Sequence, residues 1–209
     1  MADFPIIPSK TGMIFFDTLN IYLHPDDPEQ AKAVEASGVV GGMKRIGDAC
    51  RKHGISVFYP AADHRPDHKD FSPQIVDAGY RGSPTGKPYV AGPPPVHSGT
   101  KDAEVIPEIA PQAGDYMIKK HRWSSFFQTH LELSLRTAGI DTLMIAGGAI
   151  EIGVASTAYA ARDLDYNLII LSDICTSGKP EVKKIFMENV FPIFARVMTV
   201  DDAIGLIQA

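Results

Sequence analysis

Two stretches near the centre of the chain carry residue types that could do chemistry. The first is residues 119–126 (KKHRWSSF), and the second is the glycine-rich run of residues 143–154 (LMIAGGAIEIGV). Each pattern predicts a strand followed by a turn into a helix. Because open α/β folds bind ligands at the carboxyl ends of their parallel strands, we predict a site formed by these two turns.

A carboxylate at the end of an earlier strand could join this site. Residues 11–16 form a short apolar run, typical of a strand covered on both faces, and Asp17 follows it. Burial penalises the charged form of a carboxyl group unless a neighbour compensates, and a lysine at the same sheet edge could do so. Such a pair could move a proton at neutral pH. Lys119 and Lys120 should point to opposite faces of their strand, so only one of them can fill this role.

Composition limits the classes of protein to consider. A chain of 209 residues with 20 basic and 25 acidic residues lacks the basic stripe that nucleic-acid binding requires. The first residues show no signal-peptide pattern, and no apolar run approaches the roughly 20 residues of a membrane span. We therefore expect a cytoplasmic protein with no nucleic-acid or membrane partner. Cys50 and Cys175 are too few for a disulfide framework and are interpreted as reduced core thiols.

The order of the predicted elements defines the fold class. Strands are predicted at residues 11–17, 55–60, 115–119, 142–146, 167–173 and 195–200, and helices at 27–34, 39–53, 125–138, 152–164, 180–190 and 201–208. Phe127, Leu131 and Leu135 should share the apolar face of the 125–138 helix. Six strands alternating with helices predict an α/β fold, a three-layer α-β-α sandwich with a six-stranded, mostly parallel sheet of the Rossmann-like type.

One long connection interrupts this alternation. Residues 81–101 are rich in glycine and proline, and a connection of this length in a compact domain is usually functional. We predict a flap over the site or an arm to a neighbouring subunit, within a single domain spanning residues 1–209. The apolar, proline-rich part at residues 89–96 favours a homo-oligomer.

Four motifs follow one another along the chain. They are Phe16-Asp17, Lys120-x-Arg122-x-Ser124-x-Phe126, Gly147-x-x-Ile150-x-x-Gly153-Val154-x-x-Thr157-Ala158-x-x-Ala161 and Ser172-Asp173-x-Cys175. In this order they resemble the isochorismatase-like hydrolase superfamily, which includes isochorismatases, nicotinamidases, N-carbamoylsarcosine amidohydrolases and ureidoacrylate amidohydrolases. The resemblance covers nearly the whole chain and implies the Rossmann-like fold, a small-molecule substrate and a homo-oligomer, either dimer or tetramer.

The resemblance also implies roles for three catalytic positions. In the amidase members the catalytic set is an Asp, a Lys and a Cys, which match Asp17, Lys120 and Gly153, and their threonine position is Ile150. Glycine has no side chain, so no covalent thioester intermediate can form there. Neither Cys175, beyond the fifth strand, nor Ser156, which we expect to face away, is predicted to replace the thiol.

Isochorismatases offer a precedent for glycine at this position. The resemblance implies that Asp17 would protonate a vinyl ether, with Lys120 as its electrostatic partner and Gly153 leaving room for substrate or water. Amides at the start of the following helix would stabilise developing negative charge. The glutamine and tyrosine that hold isochorismate correspond to Ala62 and Ala149, so isochorismate itself is not expected to be the substrate.

Further residues are candidates for contacting the substrate. His64 and Arg65 could orient an anionic group, and Glu151 could activate water. Asp63, His64 and His68 do not match the spacing of a zinc site, so we predict no metal and no cofactor. The complete set of substrate-binding candidates is Asn20, His64, Arg65, Trp123, Phe126, Ala149, Ile150 and Glu151. Trp123 and Phe126 could equally pack in the core or at a subunit interface.

Three interpretations of function stay open from the sequence. The first is a hydrolase that uses Asp17 and Lys120 without a nucleophile and cleaves an amide or vinyl ether bond. The second is a binding or scaffold protein whose catalysis has lapsed, and the third is a former cysteine hydrolase in which glycine was introduced at position 153. The first predicts a polar cleft with Asp17 and Lys120 within hydrogen-bond reach.

Overall fold

A single parallel sheet forms the centre of the protein. The computed structural model describes residues 4–67, 69–70 and 96–207. The strands are β1 (Thr11–Phe16), β2 (Ser56–Ala62), β3 (Tyr116–Lys120), β4 (Thr142–Gly148), β5 (Asn167–Thr176) and β6 (Arg196–Met198). Their order is β3-β2-β1-β4-β5-β6, and every neighbouring pair is parallel. The predicted fold class is confirmed.

Helices cover both faces of the sheet. The α-helices are α1 (Asn20–Leu23), α2 (Pro28–Ser37), α3 (Val39–Lys52), α4 (Leu131–Thr137), α5 (Ala155–Asp163), α6 (Pro180–Ile185) and α7 (Val200–Ile207). Short 3-10 turns lie at Pro8–Lys10, Lys101–Ala103, Pro107–Ile109 and Phe191–Ile193, and π-helical turns at Ile150–Val154 and Phe186–Val190. The Asp27 side chain caps α2 by accepting from the amides of Glu29 and Gln30.

Alternate residues of β1 belong to two separate apolar cores. Met13 and Phe15 pack in the core beneath α3 and α7. Ile14 and Phe16 pack on the opposite face, beneath α4 and α5. All six residues of β1 are buried, as expected of a central strand covered on both faces. The result is the predicted three-layer sandwich.

The site lies where the strand order reverses. β2 and β3 lie on one side of β1, and β4, β5 and β6 lie on the other. The segments that leave β1 and β4 therefore separate in opposite directions and leave a crevice at the carboxyl edge. Asp17 follows β1, and the glycine-rich turn ends β4.

One helix and two strands differ clearly in length from the sequence prediction. The helix predicted over residues 125–138 is α4 alone (Leu131–Thr137), and Phe127 is 52% exposed rather than part of its apolar face. The Ser125 amide donates to Thr157 Oγ1, and Gln128 has a φ of 53°, so the chain is irregular before Leu131. β5 continues beyond its predicted end to Thr176, whereas β6 has only three residues.

Most of the predicted flap lies outside the described residues. Of residues 81–101, the structure describes only 96–101, where His97 forms a bridge with His64. The flap, the arm and the single-domain boundaries stay predictions. Within the described part of the chain, no helix has the length and apolar character needed to cross a membrane.

Candidate active site

Asp17 and Lys120 form an ion pair at the carboxyl edge of the sheet. Lys120 ends β3, and its Nζ donates to Asp17 Oδ2 at 2.7 Å. The Ala62 amide, at the end of the intervening β2, donates to Asp17 Oδ1 at 2.7 Å. Lys119 points the other way, is 69% exposed and pairs with Asp63. Strand alternation therefore selects Lys120 as the partner of Asp17, as predicted from the sequence.

The Asp17 carboxyl group is largely shielded from solvent. Its side chain is 11% exposed and that of Lys120 only 5%. Burial raises the pKa of Asp17 above its ordinary value of 3.8, although the Lys120 ammonium and the Ala62 amide both favour the ionised form. Both carboxyl oxygens accept a hydrogen bond, as a carboxylate would. A carboxylate whose pKa is raised is suited to taking up a proton and returning it.

The carboxyl end of β4 can be built only with glycine at position 147. Gly147 has a φ of +123°, and a Cβ there would lie 2.8 Å from the Phe16 carbonyl carbon. The Gly148–Ala149 peptide bond is cis. The Ala149 carbonyl accepts from the amides of Ile152, Gly153 and Val154, which begins the π-helical turn. The Gly153 amide is therefore already engaged by the backbone.

A cavity of about 980 Å³ opens above the ion pair. Gly153 lies on its wall, beside Phe16. The cavity combines polar groups at the sheet edge with large apolar side chains farther out. It is lined by Phe16, Asp17, Thr18, Tyr22, Leu23, Met43, Ala62, His64, Lys120, His121, Arg122, Trp123, Ser124, Phe127, Gly147, Gly148, Ala149, Ile152, Gly153, Ser156, Thr176, Ser177 and Gly178.

The structure brings six of the predicted site residues to this cavity. Asp17, Lys120 and Gly153 line it, and so do His64, Trp123 and Ala149. His64 Nδ1 lies 3.0 Å from Asp70 Oδ2, which also accepts from the Arg65 amide. Burial opposes ionisation of Asp70, yet these hydrogen bonds hold its pKa below the ordinary value.

Arg65 and Asn20 lie elsewhere. Arg65 is exposed, and its guanidinium donates to Asp67 at 2.6 and 2.7 Å. Asn20 is buried, and its side chain donates to the Lys101 carbonyl. Neither lines the cavity, so the expected contacts with substrate are not supported by where these two residues sit. Asn20 instead ties α1 to the segment that carries Lys101.

Three other candidates face the protein interior. Phe126 is half-buried against the apolar core, with its ring 6.0 Å from that of Tyr166. Ile150 is fully buried in the same core. Glu151 is half-buried, and its Oε2 has no hydrogen-bond partner among the described residues. None of the three lines the cavity.

Several lining residues were not among the sequence candidates. His121 and Arg122 lie at the rim beside Trp123, and Phe127 forms part of the apolar wall. All three residues follow Lys120 closely in the sequence, and this position could have indicated that they lie near the site. The predicted helix over residues 125–138 wrongly placed Phe127 on its apolar face. Ser156 also lines the cavity, which corrects the expectation that it faces away. Its hydroxyl donates to the Gly153 carbonyl at 3.1 Å.

The two cysteines are buried in the apolar cores. Burial raises the pKa of both thiols to about 12. Cys175 Sγ donates to the Ile145 carbonyl at 3.7 Å, and neither cysteine lines the cavity. The interpretation of both as core thiols is confirmed by their burial. Neither has the low thiol pKa that a reactive cysteine requires.

The polar residues that the structure describes after β2 do not form a recognisable metal centre. Among the residues that the structure describes, no group of three or more His, Cys, Asp or Glu side chains could hold a metal ion. Asp63 pairs with Lys119 and accepts from Ser98, while His64 turns to Asp70. His68, the third residue considered for a metal, lies outside the described residues.

Comparisons with known proteins agree with this fold. A family model described as the isochorismatase domain matches residues 11–202. The uncharacterised isochorismatase family protein YwoC of Bacillus subtilis is 35% identical over 172 residues, 81% of this chain and 84% of that protein. Ureidoacrylate amidohydrolase RutB of Agrobacterium fabrum is 29% identical over 216 residues, covering 96% of this chain and 91% of that protein.

A solved structure gives the same result in three dimensions. The N-carbamoylsarcosine amidase of Thermoplasma acidophilum superposes with a TM-score of 0.69 at 29% identity, covering 92% of this chain and 97% of that one. The fold and these relatives define a hydrolase with a three-layer α-β-α sandwich fold. The chain belongs to the isochorismatase family. The predictions of this superfamily and of a hydrolase are confirmed.

Proposed function

We propose that this protein hydrolyses a small organic molecule with Asp17 as general acid and base, Lys120 as its electrostatic partner and no cysteine nucleophile. The observation that carries the proposal is the buried 2.7 Å contact between Lys120 Nζ and Asp17 Oδ2 at the base of a large cavity. Gly153 lies on the wall of that cavity, where the family resemblance implies the nucleophile position. The relatives that are named amidohydrolases favour a C–N bond as the target.

The residues support direct attack by water. Asp17 accepts a proton from water while the water oxygen bonds to the substrate carbonyl carbon. The Lys120 ammonium stabilises the negative charge that develops on the carbonyl oxygen. Asp17 then returns the proton to the departing nitrogen as the C–N bond breaks. In a vinyl ether the same carboxyl would act first as the acid, and water would add afterwards.

The walls of the cavity favour a particular class of substrate. Tyr22, Trp123 and Phe127 contribute aromatic side chains to the lining, and His121 and Arg122 contribute basic groups. A cavity of about 980 Å³ with these walls suits a compact molecule with an apolar or planar body and an acidic group. Arg122 Nη1 donates to the Asp70 carbonyl at 3.0 Å, which holds its guanidinium at the rim.

The competing interpretations receive less support. A lapsed binding protein would tolerate a filled or apolar cleft, whereas this cavity is open and keeps its buried ion pair. A glycine newly introduced into a cysteine enzyme should leave space for the lost side chain. The Phe16 ring occupies that space at Gly153.

The proposal is tested by assaying a panel of substrates with variants of Asp17 and Lys120, and with a control variant of Lys119. Wild type, Asp17→Asn and Lys120→Met are assayed with ureidoacrylate, N-carbamoylsarcosine and isochorismate, and product is measured by liquid chromatography. Each variant should reduce kcat about 10²- to 10⁴-fold, the range of general acid–base catalysis. Lys119→Met is the control, since this lysine leaves the other face of β3, and it should keep activity within about twofold. Activity that survives Asp17→Asn unchanged would refute the mechanism.

A further inference from the structure

We infer that Phe16 is a positioning residue of the active site, and that glycine at position 153 is required to accommodate its ring. The claim that Phe16 positions a catalytic group rests on the proposed function. The claim that its ring requires glycine at position 153 rests on packing alone. Phe16 ends β1, directly before Asp17, and its side chain is buried. It contacts both the wall at Gly153 and the Lys120 ammonium.

The Phe16 ring fills the volume that a side chain at residue 153 would need. A Cβ built on Gly153 would overlap the ring atoms Cε1 and Cζ and would lie 3.3 Å from Cδ1. Residue 153 has no backbone conformation that demands glycine, since it lies in a right-handed helical turn. The reason for glycine at this position is therefore the ring of Phe16 and not the backbone.

The same ring supports the ammonium group of the ion pair. Lys120 Nζ lies 4.4 Å from the centre of the Phe16 ring, within the range of a cation–π interaction. Such contacts are stronger when both partners are removed from water, and both side chains here are almost fully buried. Asp17 Oδ2 and the ring together hold the lysine head group.

These two contacts make residues 16, 120 and 153 interdependent. A side chain at 153 would push the ring away from its present position, and the ring would then lose its contact with Lys120. The substitution Gly153→Cys would therefore add a thiol and, at the same time, disturb the pair formed by Asp17 and Lys120. We expect that change alone to lower the existing activity rather than convert the protein into a cysteine hydrolase.

A double-mutant cycle tests the packing relation without any substrate. Gly153→Ala should lower Tm by roughly 3–10 °C, because overpacking a filled core site is destabilising. Phe16→Leu lacks the two overlapping ring atoms, so the double variant should lose less than the sum of the two single losses. Gly41→Ala is the control, because its added Cβ in α3 would meet no described atom within 4 Å apart from its chain neighbours and its own helix backbone, and its Tm should not fall. A strictly additive cycle would refute the relation.

Nuclear magnetic resonance tests the contact with Lys120. The ring current of Phe16 should shift the side-chain signals of Lys120 near the ammonium in protein labelled with ¹³C and ¹⁵N lysine. Phe16→Leu should remove that shift, while Lys119 serves as the internal reference. An unchanged Lys120 signal in this variant would overturn the positioning role.

Kinetics then separates this inference from the proposed function. On a substrate turned over by wild type, Phe16→Leu should reduce kcat about tenfold and leave KM within about twofold, because the ring acts through Lys120. An unchanged kcat would contradict the positioning role. If Asp17→Asn keeps full activity, the proposed function fails, whereas the stability cycle and the lysine signal would still establish the packing of Phe16.

Discussion

At the scale of single residues, Asp17 combines burial with a charged partner. Burial favours the neutral acid, whereas Lys120 and the Ala62 amide favour the carboxylate. The balance leaves the pKa above that of an ordinary aspartate, so the group can exchange protons without leaving the site. The strand pattern predicted Asp17 and a compensating charge from one of the two neighbouring lysines, because a carboxylate at the end of a buried strand needs such a partner. The family resemblance, and not the strand pattern, indicated Lys120.

The acidic limb of activity should follow the titration of Asp17. If the carboxylate is the base, kcat/KM rises with pH through a pKa that lies above 3.8. Replacing Lys120 by Met removes the charge that favours ionisation, so the Asp17 pKa should rise further. The ¹³C carboxyl titration of Asp17 in wild type and Lys120→Met measures both values. A lower pKa in the variant would show that Lys120 does not stabilise the carboxylate.

Thiol reagents should leave the native protein active. Both cysteines are buried, with pKa values raised to about 12, so almost no thiolate is present at neutral pH. Activity should fall by less than about 10% after treatment with iodoacetamide, and mass spectrometry should find labelling only after unfolding. Loss of activity in step with labelling of one cysteine would contradict the assignment of both thiols to the core.

Some site residues could not be predicted because their direction depends on tertiary contacts. Arg65 was expected to bind an anionic group of the substrate, but its guanidinium forms an ion pair with Asp67, two residues away. Ile150 and Phe126 turn inward because the core beneath α4 and α5 accepts them. The relation of Phe16 to Gly153 joins positions far apart in the chain, and no local pattern reports it.

At the scale of elements, the pairing of β1 with β4 determines the shape of the site. The strands pair from Thr11 opposite Thr142 to Phe16 opposite Gly147. At Gly147 the chain comes so close to the Phe16 backbone that no side chain can be placed there. The first turn of the glycine-rich segment is thus fixed by the strand beside it.

Replacing Gly147 should be much more costly than replacing a helical glycine. Gly147→Ala should reduce the free energy of unfolding by about 3 kcal/mol or more, since it adds both a clash and an unfavourable φ. At Gly205 in α7 an added Cβ would meet no described atom within 4 Å apart from its chain neighbours and its own helix backbone, so Gly205→Ala should be stabilising by up to about 1 kcal/mol. Urea unfolding followed by circular dichroism measures both. Equal effects of the two changes would show that the close approach is relaxed at little cost.

The elements were predicted better than their ends. Six strands and their alternation with helices follow from apolar runs and turn residues, because these patterns report burial directly. The helix predicted at residues 125–138 begins only at Leu131, because Ser125 and Thr129 use their polar groups in local and long-range hydrogen bonds. The continuation of β5 to Thr176 follows from pairing with the end of β4, which a single segment does not reveal.

At the scale of the whole molecule, one arginine joins three separate segments on the face opposite Phe16. Arg51 in α3 donates to Tyr59 of β2, to Asp115 before β3 and to the Ala110 carbonyl. Tyr59 in turn donates to the Ile109 carbonyl, and burial raises its pKa to about 12. This cluster fixes β2 and the approach to β3, the two strands that supply Ala62 and Lys120.

Breaking the cluster should destabilise the protein far more than breaking a surface pair. Arg51→Met leaves Asp115 without its partner in a largely buried position and should cost about 3–5 kcal/mol of unfolding free energy. Lys44→Met removes the exposed pair with Asp48 and should change stability by less than about 1 kcal/mol. Chemical denaturation of the two variants tests the contrast. Similar losses of unfolding free energy in the two variants would mean that the Arg51 cluster stabilises the protein no more than an exposed ion pair does.

Properties of the assembly stay predictions. The homo-oligomer, dimer or tetramer, and the cytoplasmic location follow from the resemblance and from composition. Light scattering coupled to size-exclusion chromatography determines the mass in solution. A mass of one chain, 22.7 kDa, would refute the oligomer.

The Phe16 ring also constrains how this sequence could change over generations. A route to thiol chemistry at this site would need two substitutions, one that shrinks residue 16 and one that adds cysteine at 153. Taken in either order, the first step alone impairs the lysine or the fold before the second confers any benefit. Selection acting one substitution at a time would thus tend to keep the glycine, because the neighbouring aromatic ring occupies the space that a thiol side chain at position 153 would need.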